Sequence, residues 1–137
     1  MYATANIYDS YKQNHVTTAS PIDLIIMLYD GCIKNLKIAK LLLEDTGSET
    51  AAQDFLNTIE KAEEIVLELI RSLNFKVEMS NDLMNLYEFM LNEMVEVTVS
   101  KEKERLDPVI DMLSSLREAW AEAKKTVGGS SSYALSE

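Results

Sequence analysis

Residues 17–43 read TTASPIDLIIMLYDGCIKNLKIAKLLL, and this stretch decides the fold. Ser20-Pro21 followed by Asp23 is a helix start signal. The serine oxygen suits an orphan backbone N–H, proline suits the first helical position, and aspartate sets negative charge at the positive end of the helix dipole. At roughly 100° per residue, Ile25, Leu28, Tyr29, Cys32, Leu36, Ala39 and Leu43 then share one face, the ordinary core stripe. Leu24, Met27, Ile38, Leu41 and Leu42 fall on roughly the opposite side, interrupted by Asp23, Asp30 and Lys34. A helix with two apolar sides needs a partner beyond its own core.

The surrounding chain supplies three more helices. Of four glycines and two prolines, none of the glycines falls between Ser48 and Val127, which points to an all-α chain. The first helix ends near Thr46-Gly47. The second begins after Ser48 and runs to about Leu73, with Ala52, Phe55, Ile59, Ala62, Val66, Leu69 or Ile70, and Leu73 as a bundle seam. Glu60, Glu63, Glu64 and Glu68 lie off that seam on a solvated face. Ser80 or Asn81 is the expected cap of the third helix, whose core set is Leu83, Tyr87, Met90, Met94 and Val97. Leu86, Phe89, Leu91 and Val95 widen its apolar arc. After a break near Ser100-Lys101, the fourth helix starts near Glu102 or at Asp107 as cap. It carries Leu106, Val109 or Ile110, Leu113, Leu116, Trp120, Ala123 and Val127. Short connections make neighbours antiparallel. The expected fold is an up-down four-helix bundle over residues 20–127. It is preceded by a mobile N-terminal segment (1–19), whose Ile7, Tyr8 and Tyr11 have the spacing of one short helical face. A flexible tail (128–137) follows.

Composition narrows function. A formal net charge of −10 on 137 residues repels phosphate backbones and anionic lipid, so neither nucleic acid nor membrane is an expected partner. No secretory leader pattern and no transmembrane run is legible, so the expected compartment is the cytoplasm. One cysteine excludes a disulfide framework within the chain. Di-iron bundles need Glu-x-x-His on two helices, but the single histidine, His15, lies in the N-terminal segment. That place is also wrong for a phosphotransfer histidine. Cys32 sits in the core stripe as an inert thiol. Only three arginines are present, and no phosphate loop or nucleophile–base arrangement is legible. No catalytic residue, cofactor or metal is expected. Binding through apolar helix faces remains.

The residues also resemble a known family. Tyr8-Asp9-Ser10-Tyr11-Lys12-Gln13-Asn14 leads through Val16-Thr17-Thr18-Ala19-Ser20-Pro21 into Leu24 and Met27-Leu28-Tyr29-Asp30-Gly31. This is similar to the signature of the FliS family, bacterial flagellar secretion chaperones that bind flagellin. Leu83, Leu86-Tyr87, Met90 and Leu116-Arg117-Glu118-Ala119-Trp120 add to the match, which covers about residues 8–123. The loop before the third helix, Asn74 to Ser80, lacks the glycine often found in the family, and Val97-Thr98 stands where Ala-Asn is common.

The resemblance implies a helical-bundle chaperone for the disordered C-terminal segment of flagellin. It would prevent premature polymerisation and deliver the client to the flagellar type III export apparatus. An amphipathic client that folds on binding would lay its apolar face into grooves of a preformed bundle. The expected client surface is Leu24, Met27, Ile38, Leu41 and Leu42, with Ile7, Tyr8 and Tyr11 covering apolar surface when no client is present. A homodimer without client is another way to bury the same stripe. The alternative function is a helical adaptor or regulator for a different protein.

Overall fold

The structure, a computed structural model, describes residues 21–127 apart from Thr46. Four helices, α1 (Pro21–Glu44), α2 (Glu49–Arg71), α3 (Met79–Ser100) and α4 (Leu106–Val127), follow in order, and a 3₁₀ turn (Lys103–Arg105) leads into α4. Ser20, Ile7, Tyr8, Tyr11, His15 and the tail after residue 127 lie outside the described residues. α1 packs against α2 and α4, and α3 closes the ring against the same two helices. This is the expected all-α, antiparallel up-down bundle, with α1 and α3 on its diagonal.

The core follows the helical period. Ile25, Leu28, Tyr29, Cys32, Leu36 and Ala39 of α1 are buried, Leu43 is half-buried, and Ile22 joins them. α3 contributes all five expected residues, Leu83, Tyr87, Met90, Met94 and Val97. α4 contributes Leu106, Val109 and Leu113, with Ile110, Leu116 and Trp120 packed at the edge. On α2 the seam starts one residue early. Ala51 is buried and Ala52 exposed, and Ile65 widens the seam. Each aliphatic side chain so removed from water stabilises the bundle by about 1.5–3 kcal/mol before chain entropy is charged against it.

Helix ends use different chemistry at each corner. Ser48 caps α2 as its type predicts, its Oγ accepting from the Ala51 N–H at 3.0 Å. Neither Ser80 nor Asn81 caps α3. The helix begins at Met79 after a residue with no side-chain cap, and the chain enters it through tight turns. Val77 N–H donates to the Asn74 carbonyl at 2.9 Å, and Ser80 N–H to Val77 at 3.0 Å. Backbone carbonyls thus take the donors that a cap would serve. Ser80 is instead buried within the first turn, donating its hydroxyl to the Asn74 carbonyl at 2.7 Å.

The β-branched end of α3 stays helical to Ser100 and stops at Lys101. At φ 60° this is the left-handed residue that closes the helix, with its N–H on the Val97 carbonyl at 2.9 Å. Lysine bears there a strain that glycine would avoid. The 3₁₀ turn after Glu102 then runs directly into α4. Asp107 is therefore in the first helical turn, not the cap, and its carboxylate pairs with Lys40 of α1.

Candidate functional site

The two strongest sequence motifs meet across the α1–α4 contact. Tyr29, from Met27-Leu28-Tyr29-Asp30-Gly31, is fully buried, and its hydroxyl accepts from the Trp120 indole N–H at 3.0 Å. The same oxygen lies 2.6 Å from the Tyr87 hydroxyl of α3. Burial pushes both phenols above their ordinary range, with their mutual hydrogen bond acting as a smaller influence, so both hydroxyls keep their protons at ordinary pH. Beside Tyr29, Asp30 takes a forked pair of bonds from Arg117, Nε to Oδ1 at 2.7 Å and Nη2 to Oδ2 at 3.3 Å.

Further ion pairs keep α1 and α4 in one register. Asp23 pairs with Lys124, Lys40 with Asp107, and Glu44 with Lys103 at 3.6 Å. Each step up α1 matches an equal step down α4 and the 3₁₀ turn that precedes it. These pairs are at least partly solvent-exposed, so each is worth about 1 kcal/mol or less, and their main effect is on alignment.

Leu28 lies in the core, and Gly31 is half-buried with its carbonyl accepting from Asn35 Nδ2 at 2.9 Å. Cys32 is fully buried, its thiol pushed up to about 12 by burial and its S–H aimed at the Ala62 carbonyl 3.7 Å away. Such a thiol is not a nucleophile at neutral pH. Most of the described motif residues therefore build the bundle.

The opposite side of α1 differs. Leu41 is 64% exposed and Ile38 36%, while Leu24, Met27 and Leu42 are half-buried. Leu42 packs against the edge of the core. Met27 borders a shallow depression with Ile26, Asp23 and, from α4, Arg117, Ala121 and Lys124. The five α1 positions do not form one closed pocket; they form an open strip.

Other exposed apolar side chains were not singled out from sequence as binding positions: Leu56 and Leu67 on α2, Phe75 before α3, and Met79, Phe89, Val95 and Val99 on α3. Phe89 and Val95 belong to the wide apolar arc of α3, which is the signal that pointed to them. Leu56 and Leu67 stand among the glutamates of α2, which disguised them as part of a solvated face. That face is itself uneven, since Glu60 is exposed and Glu64 is buried. Burial, and then repulsion from Glu60 and Glu64, raise the Glu63 carboxyl. Among the described residues, no group of three or more His, Cys, Asp or Glu side chains could hold a metal ion. No helix there is long and apolar enough to cross a membrane.

Comparison with known proteins accords with these motifs. A family model described as flagellar protein FliS matches residues 4–127. The flagellar secretion chaperone FliS of Bacillus subtilis (strain 168) is 31% identical over 121 residues, covering 88% of this chain and 88% of that protein. Its counterpart in Salmonella typhimurium (strain LT2) is 28% identical over 127 residues, covering 88% and 90%. A solved structure described as a flagellar chaperone from bacteria matches with a TM-score of 0.71 at 25% identity, over 89% of this chain and 98% of that one. The chain belongs to the FliS family of flagellar secretion chaperones, which makes it a chaperone for a flagellar protein and not an enzyme.

Proposed function

We propose that this chain is a cytoplasmic export chaperone that binds the disordered C-terminal segment of flagellin. By covering that segment it prevents premature polymerisation, and it delivers the client to the flagellar type III export apparatus. The observation that carries the reading is the apolar strip of α1 turned away from the core. Leu41 and Ile38 are exposed there and Leu24, Met27 and Leu42 half-exposed, on a helix whose other face is already buried. Isolated exposed leucines are normal, but a line of them along one helix marks an interaction surface.

Exposed apolar side chains on α2 and α3 extend the surface around the bundle. That distribution suits an extended client that folds as it binds and lays short amphipathic helices on successive faces. Each Leu- or Ile-sized contact contributes roughly 1.5–3 kcal/mol, offset by the cost of ordering the client. Affinity is then usable yet reversible at export. In this reading residues 20–127 are the chaperone domain. Ile7, Tyr8 and Tyr11 of residues 1–19 cover the strip when no client is bound, residues 128–137 are a tail, and a second copy of the chain competes for the same strip.

The double substitution Ile38→Asp/Leu41→Asp tests the surface directly. Both residues are already exposed, so thermal stability should change little while affinity for a flagellin C-terminal peptide drops at least a hundredfold, the loss of about two apolar contacts. A folded double variant that binds the peptide with unchanged affinity contradicts the assignment of this strip.

A further inference from the structure

On the side of α1 turned away from the core, Leu24, Met27, Gly31, Lys34, Ile38 and Leu41 follow one another at steps of three, four, three, four and three residues. That is the spacing of a seam along which one further helix packs lengthwise, knobs into holes. From Leu24 to Leu41 the row runs about 26 Å along the helix, so its complement is a helix of roughly 18 residues.

Two members of the row interrupt its apolar character. Gly31 is half-buried and has no side chain, so that layer admits a large side chain from a partner. Lys34 is exposed, with Met27 seven residues before it and Leu41 seven residues after. A helix laid along the row covers Lys34 and takes water from its ammonium group. That costs affinity unless the partner brings an opposite charge.

The rest of α1 supplies no such charge. Asp23 and Asp30 are engaged by Lys124 and Arg117, Glu44 by Lys103, and Lys40 by Asp107. Among the described residues, Lys34 and Lys37 are the charged side chains of α1 without an ion pair. Between Asp30 and Glu44 the helix carries three lysines and no carboxylate. On a chain of 23 acidic and 13 basic side chains, this is a local patch of positive potential set against an apolar seam.

The lysine works against self-pairing. Parallel packing of two copies of α1 along the seam sets the two Lys34 ammonium groups opposite each other, and antiparallel packing in register sets them in adjacent layers. The better complement is a helix whose own apolar row is interrupted once by a carboxylate.

We propose that α1 packs lengthwise against one amphipathic helix of the client, with an aspartate or glutamate of that helix paired to Lys34, and that this pair fixes the register and orientation of the client on the bundle. The pairing rests on the client reading above and adds to it a charge that an apolar strip alone does not demand.

The test is calorimetric titration of the full chain with a synthetic peptide of the flagellin C-terminal segment. Lys34 is exposed and has no ion pair to lose, so Lys34→Glu should leave the bundle folded, as checked by thermal melting. It should weaken binding at least about tenfold, because the client carboxylate then meets a like charge. Lys37→Glu makes the same change of charge beside the seam and should weaken binding less than about threefold. Replacing the peptide's aspartates and glutamates one at a time by lysine should reveal one position that weakens binding to the parent and restores it to the Lys34→Glu chain. Equal binding by the Lys34→Glu chain and the parent, equal losses from Lys34→Glu and Lys37→Glu, or the lack of any restoring position overturns the proposal. So does a Lys34→Glu effect confined to the mass of the free protein, which assigns the seam to a second copy. An effect that vanishes when residues 1–16 are deleted also overturns it and assigns the seam to the chain's own N-terminal segment. Failure of the parent chain to bind the peptide at all overturns the client reading and this pairing together.

Discussion

Replacing Tyr87 with phenylalanine deletes one oxygen from the point where α1, α3 and α4 meet. The 2.6 Å bond to Tyr29 is lost, which alone costs roughly 0.5–1.5 kcal/mol. The Tyr29 hydroxyl hydrogen is then left in a site with 0% exposure and no other acceptor, a further penalty of about 1–3 kcal/mol. Together the single change should cost about 2–3 kcal/mol, or roughly 8–12 °C in Tm for a chain of this size. Removing both hydroxyls, as Tyr29→Phe/Tyr87→Phe, should cost no more than the single change. The donor then left over is the indole N–H of Trp120, a residue that is only half-buried. Urea denaturation of the parent, the two single variants and the double variant closes the cycle, with unchanged m values required. A coupling of at least 1 kcal/mol is expected. An additive double variant would refute the shared network.

Three further outcomes are expected. Stability should fall at high pH. The unfolded Cys32 thiol releases its proton from about pH 9, whereas the folded one holds it until about 12, so the unfolded chain binds fewer protons across that window. The loss approaches about 1.4 kcal/mol per pH unit from this group. Tyr29 and Tyr87, raised in the same direction by burial, add to it above pH 10, and urea midpoints that stay flat from pH 8 to 11 would contradict this. Asp30→Asn should cost under about 1 kcal/mol despite the forked bonds to Arg117, because that pair is exposed; a loss of several kcal/mol would mean that the pair does more than align α1 with α4. Deleting residues 1–16 should leave the bundle folded and raise the client on-rate in stopped-flow, and an unchanged rate argues against a covering segment.

Much of the fold was legible because burial in a bundle follows the helical period. The stripe from Ile25 to Ala39 and the set from Leu83 to Val97 are buried as their spacing requires. The start of α2 after Ser48 was legible because the chemistry of a capping serine is local. Ser80 was not, because the tight turns from Asn74 serve its backbone donors and free its hydroxyl for a different bond.

The site was legible in part. Period alone identified the second apolar side of α1, and Leu41 and Ile38 are indeed exposed. It could not tell that Tyr29 and Asp30 face Trp120 and Arg117, since a helical face does not name its neighbour. Nor could it separate Leu56 and Leu67 from the glutamates around them. The Asn74 side-chain oxygen that accepts from the Lys76 N–H is a property of the turn geometry, with no counterpart in the sequence pattern.

The proposed role of the open apolar strip on α1 is to hold a flagellin C-terminal segment. Calorimetric titration of that segment into the chain, repeated at several temperatures and paired with mass measurement of the free and bound protein, tests it most directly. A complex of one client per chain is expected, with a negative heat-capacity change from apolar burial, and both should be lost with Ile38→Asp/Leu41→Asp. No heat of binding from the parent chain, or binding with full affinity to the double variant, would contradict it.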